Sequence, residues 1–331
     1  ARLGASHDDS SELEARALLR RVLPSDAEPY FTVNIDSAME EPTYELRTRS
    51  CAFNASETCV ELLGADPVSI AAALHHYATR YALRSSAWSG GSLDALPFPR
   101  PLPTVHPPVR RRRWALSYYG NAVTPSYSAA WWTWERWERE LDWMAMRGVT
   151  LVQALGGQEE LWWRVYTQLG LTDEELLGWL AGPAFYAWQR MGNVRGWGGP
   201  LPRALARAQL ELHVRVVRRA RALGMRVVLP CFAGHVPSAL GRLFPNASLV
   251  RQPDWCGFPE AYGETFFLEP TDPLYARLAA EFMRAQEASG LVQLRRAGRS
   301  VAAPAEGLRA TVALLSAPAN VYACDQFNEV R

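Results

Sequence analysis

Asn328-Glu329, near the end of the 331-residue sequence, sets an amide beside a carboxyl group. A carboxyl whose pKa is raised by burial can protonate a leaving glycosidic oxygen. The neighbouring amide can hydrogen-bond a sugar hydroxyl next to the bond that breaks. The dipeptide alone says little; its weight depends on standing at the end of a strand. A second group of residues could meet a sugar through flat apolar faces. Eleven of the thirteen tryptophans fall between Trp114 and Trp197, with Trp131, Trp132, Trp134 and Trp137 interleaved with ionised groups. Tryptophan is large, rigid and apolar, with one N–H donor. Such a cluster is either the aromatic core face of a helix or a set of platforms for sugar rings.

Other chemistries are excluded or disfavoured. All 35 positive charges are arginine, so a lysine Schiff base and a P-loop lysine are ruled out. Arginine's fixed fork suits carboxylates and sulfates. The five cysteines form no CxxC pair, and no HExxH occurs, so neither a zinc site nor any other metal or cofactor is expected. Cys51 and Cys59 are close enough in sequence to close a small loop as a disulfide. A net charge of +1 supplies no strong field for nucleic acid or a membrane surface. No apolar run reaches the roughly 18 residues of a membrane span. Asn54-Ala55-Ser56 and Asn246-Ala247-Ser248 are N-glycosylation sequons, expected on a secretory route. Without a starting methionine or a signal peptide, the chain reads as processed or truncated at its start.

The elements that must position these residues divide at a proline-rich stretch. Before it, residues 11–24 have helical spacing, Phe31–Ile35 alternate as a strand, and Tyr44–Arg49 and Ala52–Asn54 are further strand candidates. Val68–Leu83 is a second amphipathic helix, with His75 and His76 expected on its solvent side. Six prolines between Pro97 and Pro108 predict a stiff, extended linker. A small α/β domain over 1–108 and a second domain over 109–331 follow from that boundary.

The second domain alternates strand, loop and helix. Trp114–Tyr119, Val149–Leu155, Met225–Pro230 and Asn320–Phe327 read as strands. Trp131–Arg147, Glu160–Gln168, a helix opened by the capping box Thr172–Glu175 and stopped at Gly182-Pro183, Pro202–Leu223 and Leu274–Ala288 read as helices. This order predicts a parallel sheet whose strand-end loops carry the site, the first half of a (β/α)8 TIM barrel. An open doubly wound sheet competes, but its glycine-rich phosphate fingerprint is missing. Residues 291–319 are too long for an ordinary connection and read as an insertion.

Longer motifs sharpen this. Trp131-Trp132-Thr133-Trp134 through Asp142-Trp143-Met144-Ala145 resembles the lysosomal α-N-acetylglucosaminidase family of glycoside hydrolases. So do Gly157-Gln158-Glu159, Gly182-Pro183-Ala184-Phe185, Trp188-Gln189-Arg190-Met191-Gly192-Asn193 and Phe232-Ala233-Gly234-His235-Val236-Pro237. Asp325-Gln326-Phe327-Asn328-Glu329 is similar to that family's acid/base motif, and Ala87-Trp88-Ser89-Gly90 matches in the first domain. Many clan A glycosidases place the acid/base in an Asn-Glu pair after the fourth strand.

The resemblance implies an exo-acting retaining enzyme that removes terminal α-linked N-acetylglucosamine from heparan sulfate in the lysosome. Glu329 would be general acid and then general base. Asn121, Trp188, Met191, Trp255 and Asn328 would line the pocket, Trp188 and Trp255 packing on the sugar, with His235 and Gln158 as further candidates. Most of the Trp131–Trp143 group would then be core of the first barrel helix. Two departures stand out. Val123 replaces a family cysteine, and Cys256 lacks the nearby partner that the family carries. The nucleophile and the remaining strands would lie past Arg331, so this chain alone is expected to be inactive. The resemblance leaves a homo-oligomer open for the full-length protein. A non-catalytic carbohydrate-binding protein and another clan A glycosidase are the competing readings.

Overall fold

The structure is a computed structural model that describes residues 7–36, 38–39, 43–85, 98–292 and 321–323, with side chains from residue 10 onward. It opens with α1 (His7–Val22), followed by β1 (Phe31–Ile35), β2 (Thr43–Ser50), β3 (Thr58–Gly64), α2 (Pro67–Arg80) and β4 (Val109–Arg112). The strands form a sheet in the order β1-β3-β2-β4, parallel between β1 and β3 and antiparallel elsewhere. α2 starts on Asp66, whose carboxylate accepts the Ser69 N–H at 2.6 Å, and Pro67 at the first helical position needs no donor partner. Its apolar face, including Val68, Ile70, Leu74 and Tyr77, is fully buried.

Three expectations need correction here. Ala52–Asn54 is a turn and not a strand; the strand is β3, and Cys51 and Cys59 clamp the base of that hairpin as a disulfide. His75 and His76 are half-buried rather than solvent-facing, and Tyr44 Oη lies 2.9 Å from His76 Nδ1. The proline-rich stretch does not stand free. Phe98, Leu102 and Val105 are buried, and Tyr77 donates to the Pro103 carbonyl. β4, just after residue 108, pairs with β2 at the edge of the same sheet.

The chain continues through β5 (Tyr118–Tyr119), α3 (Trp134–Met146), β6 (Leu151–Gln153), α4 (Gln158–Leu169), α5 (Asp173–Leu177), α6 (Tyr186–Arg190), α7 (Arg203–Ala222) and β7 (Arg226–Pro230). Then come β8 (His235–Val236), α8 (Leu240–Leu243), β9 (Leu249–Arg251), α9 (Glu260–Gly263), β10 (Phe266–Leu268), α10 (Pro273–Ala288) and β11 (Val321–Ala323). β5 pairs parallel with β6, and β7 parallel with β11, in a sheet ordered β11-β7-β6-β5. This is the parallel, helix-crossed sheet expected of a partial barrel. β8, β10 and β9 form a small antiparallel sheet.

Two compact units result: residues 1–119, 134–152 and 218–226, and residues 120–133, 153–217 and 227–331. In the first unit α3 is not the tryptophan-cored helix that its sequence suggests. Its buried face is Glu140, Leu141, Asp142, Met144, Ala145 and Met146, whereas Trp134 and Trp137 are half-buried and Trp131, just before the helix, is 68% exposed. Burying Asp142 requires charge partners. Arg21 grips it at 2.6 and 2.9 Å, and Arg219 adds a contact at 3.3 Å. Burial still pushes the Asp142 carboxyl up to about 7, against the pull of Arg21.

The second unit buries the tryptophans of α4 and its neighbours instead. Trp162 stacks on Phe282 of α10 with ring centroids 4.0 Å apart, and Trp163 and Trp179 are also buried. Thr172 and Glu175 make the expected capping box, but α5 ends at Gly178 and not at Gly182. No helix among the described residues is long and apolar enough to cross a membrane.

Candidate active site

The expected site residues that the structure describes all fall in the second unit. Trp188 lies on α6, and Met191 follows it. With only five residues, α6 is too short to hold itself, so its neighbours set its orientation. Ser126 Oγ accepts the Ala187 N–H at 2.8 Å. Gly192 ends the helix at φ +76°, and Thr265 Oγ1 donates to its carbonyl at 2.6 Å. His235 packs so closely that a Cβ on Gly192 would stand 2.1 Å from the His235 Nδ1.

Trp188 and Trp255 are half-buried, with ring centroids 6.4 Å apart and planes tilted by 37°. Tyr127 meets Trp188 edge-on at 5.1 Å, and Phe258 stacks on Trp255 at 5.5 Å. Met191 is 3% exposed. The Trp255 Nε1–H is buried and has no acceptor among the described residues. An apolar aromatic wall with one uncommitted donor suits the C–H face of a sugar and one of its hydroxyls.

A set of polar groups surrounds Arg190 and His235. His235, on β8, is buried with its ring edge-on to Phe267 at 5.4 Å. Gln158, Gln189, Arg190, Cys231 and His235 line a small cavity. Gln158 is committed to the Leu155 carbonyl at 2.8 Å. Glu159 is buried and takes both forks of Arg190, each at 2.9 Å. Gly156 N–H donates to His213 Nε2 at 3.1 Å. Burial, helped by the Arg190 charge, drives His213 down to about 4, so the ring is neutral at ordinary pH.

The structure therefore brings Trp188, Met191, Trp255 and His235 into one neighbourhood. Asn121 stands exposed just after β5, and its side-chain oxygen accepts the Val123 N–H at 2.9 Å. That carboxamide is partly used by its own loop. Asn328 and Glu329 lie outside the described residues, as do 293–319 of the expected insertion and the Ala87–Gly90 match. β11 ends at Ala323, so the Asn328-Glu329 motif follows a parallel strand in sequence. Thr265 and His213 were not singled out from the sequence, and Ser126, Glu159 and Arg190 stood within matched motifs without a role of their own. Two consecutive glutamates opening an apolar helix, Glu159-Glu160, were the available signal that Glu159 needs a buried partner.

Comparison with known proteins adds the family. Residues 14–104 match the N-terminal domain model of α-N-acetylglucosaminidase, and residues 117–290 match its tim-barrel domain model. The human α-N-acetylglucosaminidase is 41% identical over 292 residues, which cover 85% of this chain and 37% of that protein. A family 89 glycoside hydrolase from Clostridium perfringens, solved with 2-acetamido-1,2-dideoxynojirimycin, superposes with a TM-score of 0.76 at 27% identity, over 86% of this chain and 32% of that one. The C. perfringens enzyme solved with its substrate GlcNAc-α-1,4-galactose gives 0.75 at 28% identity, over 85% and 31%. The chain thus spans about a third of the length of these relatives. With both domain models matched in order and the parallel sheet in place, the chain belongs to the α-N-acetylglucosaminidase family.

Proposed function

We propose that the protein containing this chain is an exo-acting retaining glycosidase that releases terminal α-linked N-acetylglucosamine from heparan sulfate. The observation that carries this reading is the Trp188–Trp255 wall, with its uncommitted indole donor, within a family of glycosidases. Trp188 and Trp255 pack on the sugar ring, Met191 closes the wall, and Asn121 and Asn328 hydrogen-bond hydroxyls. His235 holds the wall from behind through Gly192.

Glu329 protonates the leaving oxygen while a second carboxylate, its carboxyl group roughly 5 Å from that of Glu329 as in retaining sites, attacks the anomeric carbon. Glu329 then removes a proton from the water that frees the sugar. In the complete protein the nucleophile is a carboxylate on a further strand of the barrel. The protein travels the secretory route to the lysosome, with glycans on Asn54 and Asn246, both of which are exposed.

The complete protein, offered α- and β-linked chromogenic N-acetylglucosaminides and heparan-sulfate oligosaccharides, should cleave only α-linked, non-reducing-terminal residues. NMR of the fresh product should show the α-anomer first. Cleavage of β-linked substrates would favour another clan A activity. Binding without cleavage would favour a carbohydrate-binding protein.

A further inference from the structure

The Glu159–Arg190 pair is used by neither the aromatic wall nor the acid/base step. Glu159 is 1% exposed and the Arg190 side chain 10%. Burying both charges costs their hydration, and apolar replacements are often as stable, so stability alone is a weak reason for such a pair. Its location suggests another. Glu159 sits in the first turn of α4, just past β6, and Arg190 is the last residue of α6.

Helix geometry then sorts α6 into two faces. Residues two apart on a helix point to nearly opposite sides, whereas residues three or four apart share a side. Arg190 therefore shares a side with Tyr186, and its guanidinium lies 5.1 Å over that ring. Trp188 and Met191 fall on the other side. A two-bond fork fixes rotation as well as distance, which a single contact to a point charge does not. The grip on Arg190 thus sets the angle at which a five-residue helix presents Trp188.

We propose that Glu159 and Arg190 are a positioning pair: through the fork, Glu159 fixes the rotation of α6 and hence the pose of Trp188 and the depth of Met191 against the sugar. This rests on the reading that Trp188 and Met191 face substrate.

The test uses the complete protein with three changes: Glu159→Gln, Arg190→Lys, and the double change Glu159→Gln with Arg190→Met. The double variant leaves no charge buried alone, so it keeps the experiment readable if the single variants fold poorly. KM and kcat on an aryl α-N-acetylglucosaminide, the affinity of 2-acetamido-1,2-dideoxynojirimycin by calorimetry, and Tm are measured together. All folded variants, the double included, should show KM and inhibitor Kd raised about 10- to 100-fold, the scale of a small misplacement of binding groups. kcat should fall less, and Arg190→Lys should not rescue.

A folded double variant with wild-type KM and Kd would overturn the proposal, as would full rescue by lysine. Calorimetry needs no turnover. A wild-type protein that binds the inhibitor but cleaves no α-N-acetylglucosaminide would sink the functional reading and leave the pair to be judged on Kd. A wild type that neither binds nor cleaves sinks both.

Discussion

At the scale of single residues, Trp255 combines two interactions that substitution can separate. Its ring supplies apolar area, and its Nε1–H is a buried donor without an acceptor among the described residues. Trp255→Phe keeps most of the area and loses the donor, which should lower kcat/KM about 5- to 10-fold. Trp255→Ala loses both and should cost about 2 to 3 kcal/mol, roughly 30- to 150-fold. Equal losses in the two variants would mean that the donor contributes everything and the stacking nothing. His213 supplies a different test. Its pKa falls from 6.5 to about 4 on folding, so between those values the unfolded chain binds a proton that the folded chain refuses. The contribution is therefore complete above pH 6.5 and is lost as pH falls toward 4, on the order of 3 kcal/mol. His213→Gln keeps an acceptor for the Gly156 N–H but cannot titrate. Its unfolding free energy should fall less than wild type between pH 7 and 4.5; parallel curves would refute the assignment.

At the scale of elements, what was legible followed local rules. β1 matches its alternation, and α4, α7 and α10 match their apolar spacing and end signals to within a few residues. What was missed depended on distant partners. β4 is a run of arginines with no apolar alternation, made a strand only by pairing with β2. The turn at Ala52–Asn54 is a local exception: the Cys51–Cys59 disulfide that closes it was legible in the sequence, and the strand reading of 52–54 conflicted with it. Gly192 belongs to this scale because it ends α6 and leaves room for His235. Gly192→Ala must strain a left-handed φ and displace the imidazole, so it should lower stability by at least about 1 kcal/mol. It should also reduce kcat/KM by at least about tenfold as α6 tilts. Wild-type kinetics in that variant would show that α6 is not held in the way described.

At the scale of the whole molecule, the parallel sheet and the glycosidase family could be read from ordered motifs, but the supports of the site could not. Arg190 and Glu159 are 31 residues apart, and Arg21 and Asp142 are 121 apart. Nothing in local spacing pairs them; only the fold shows which arginine meets which carboxylate. The tryptophan cluster shows the same limit. Its sequence density suggested a core face on α3, while the buried indoles among the described residues are Trp162, Trp163 and Trp179, and the candidate sugar wall is Trp188 with Trp255. The reading of the whole protein converges on one carboxyl group, Glu329. The direct measurement is kcat of the complete protein carrying Glu329→Gln, with circular dichroism and Tm as the check on folding. A loss of about 10²- to 10⁴-fold at unchanged Tm is expected for removal of a general acid/base. A folded Glu329→Gln variant that turns over α-N-acetylglucosaminides at near the wild-type rate would contradict the account.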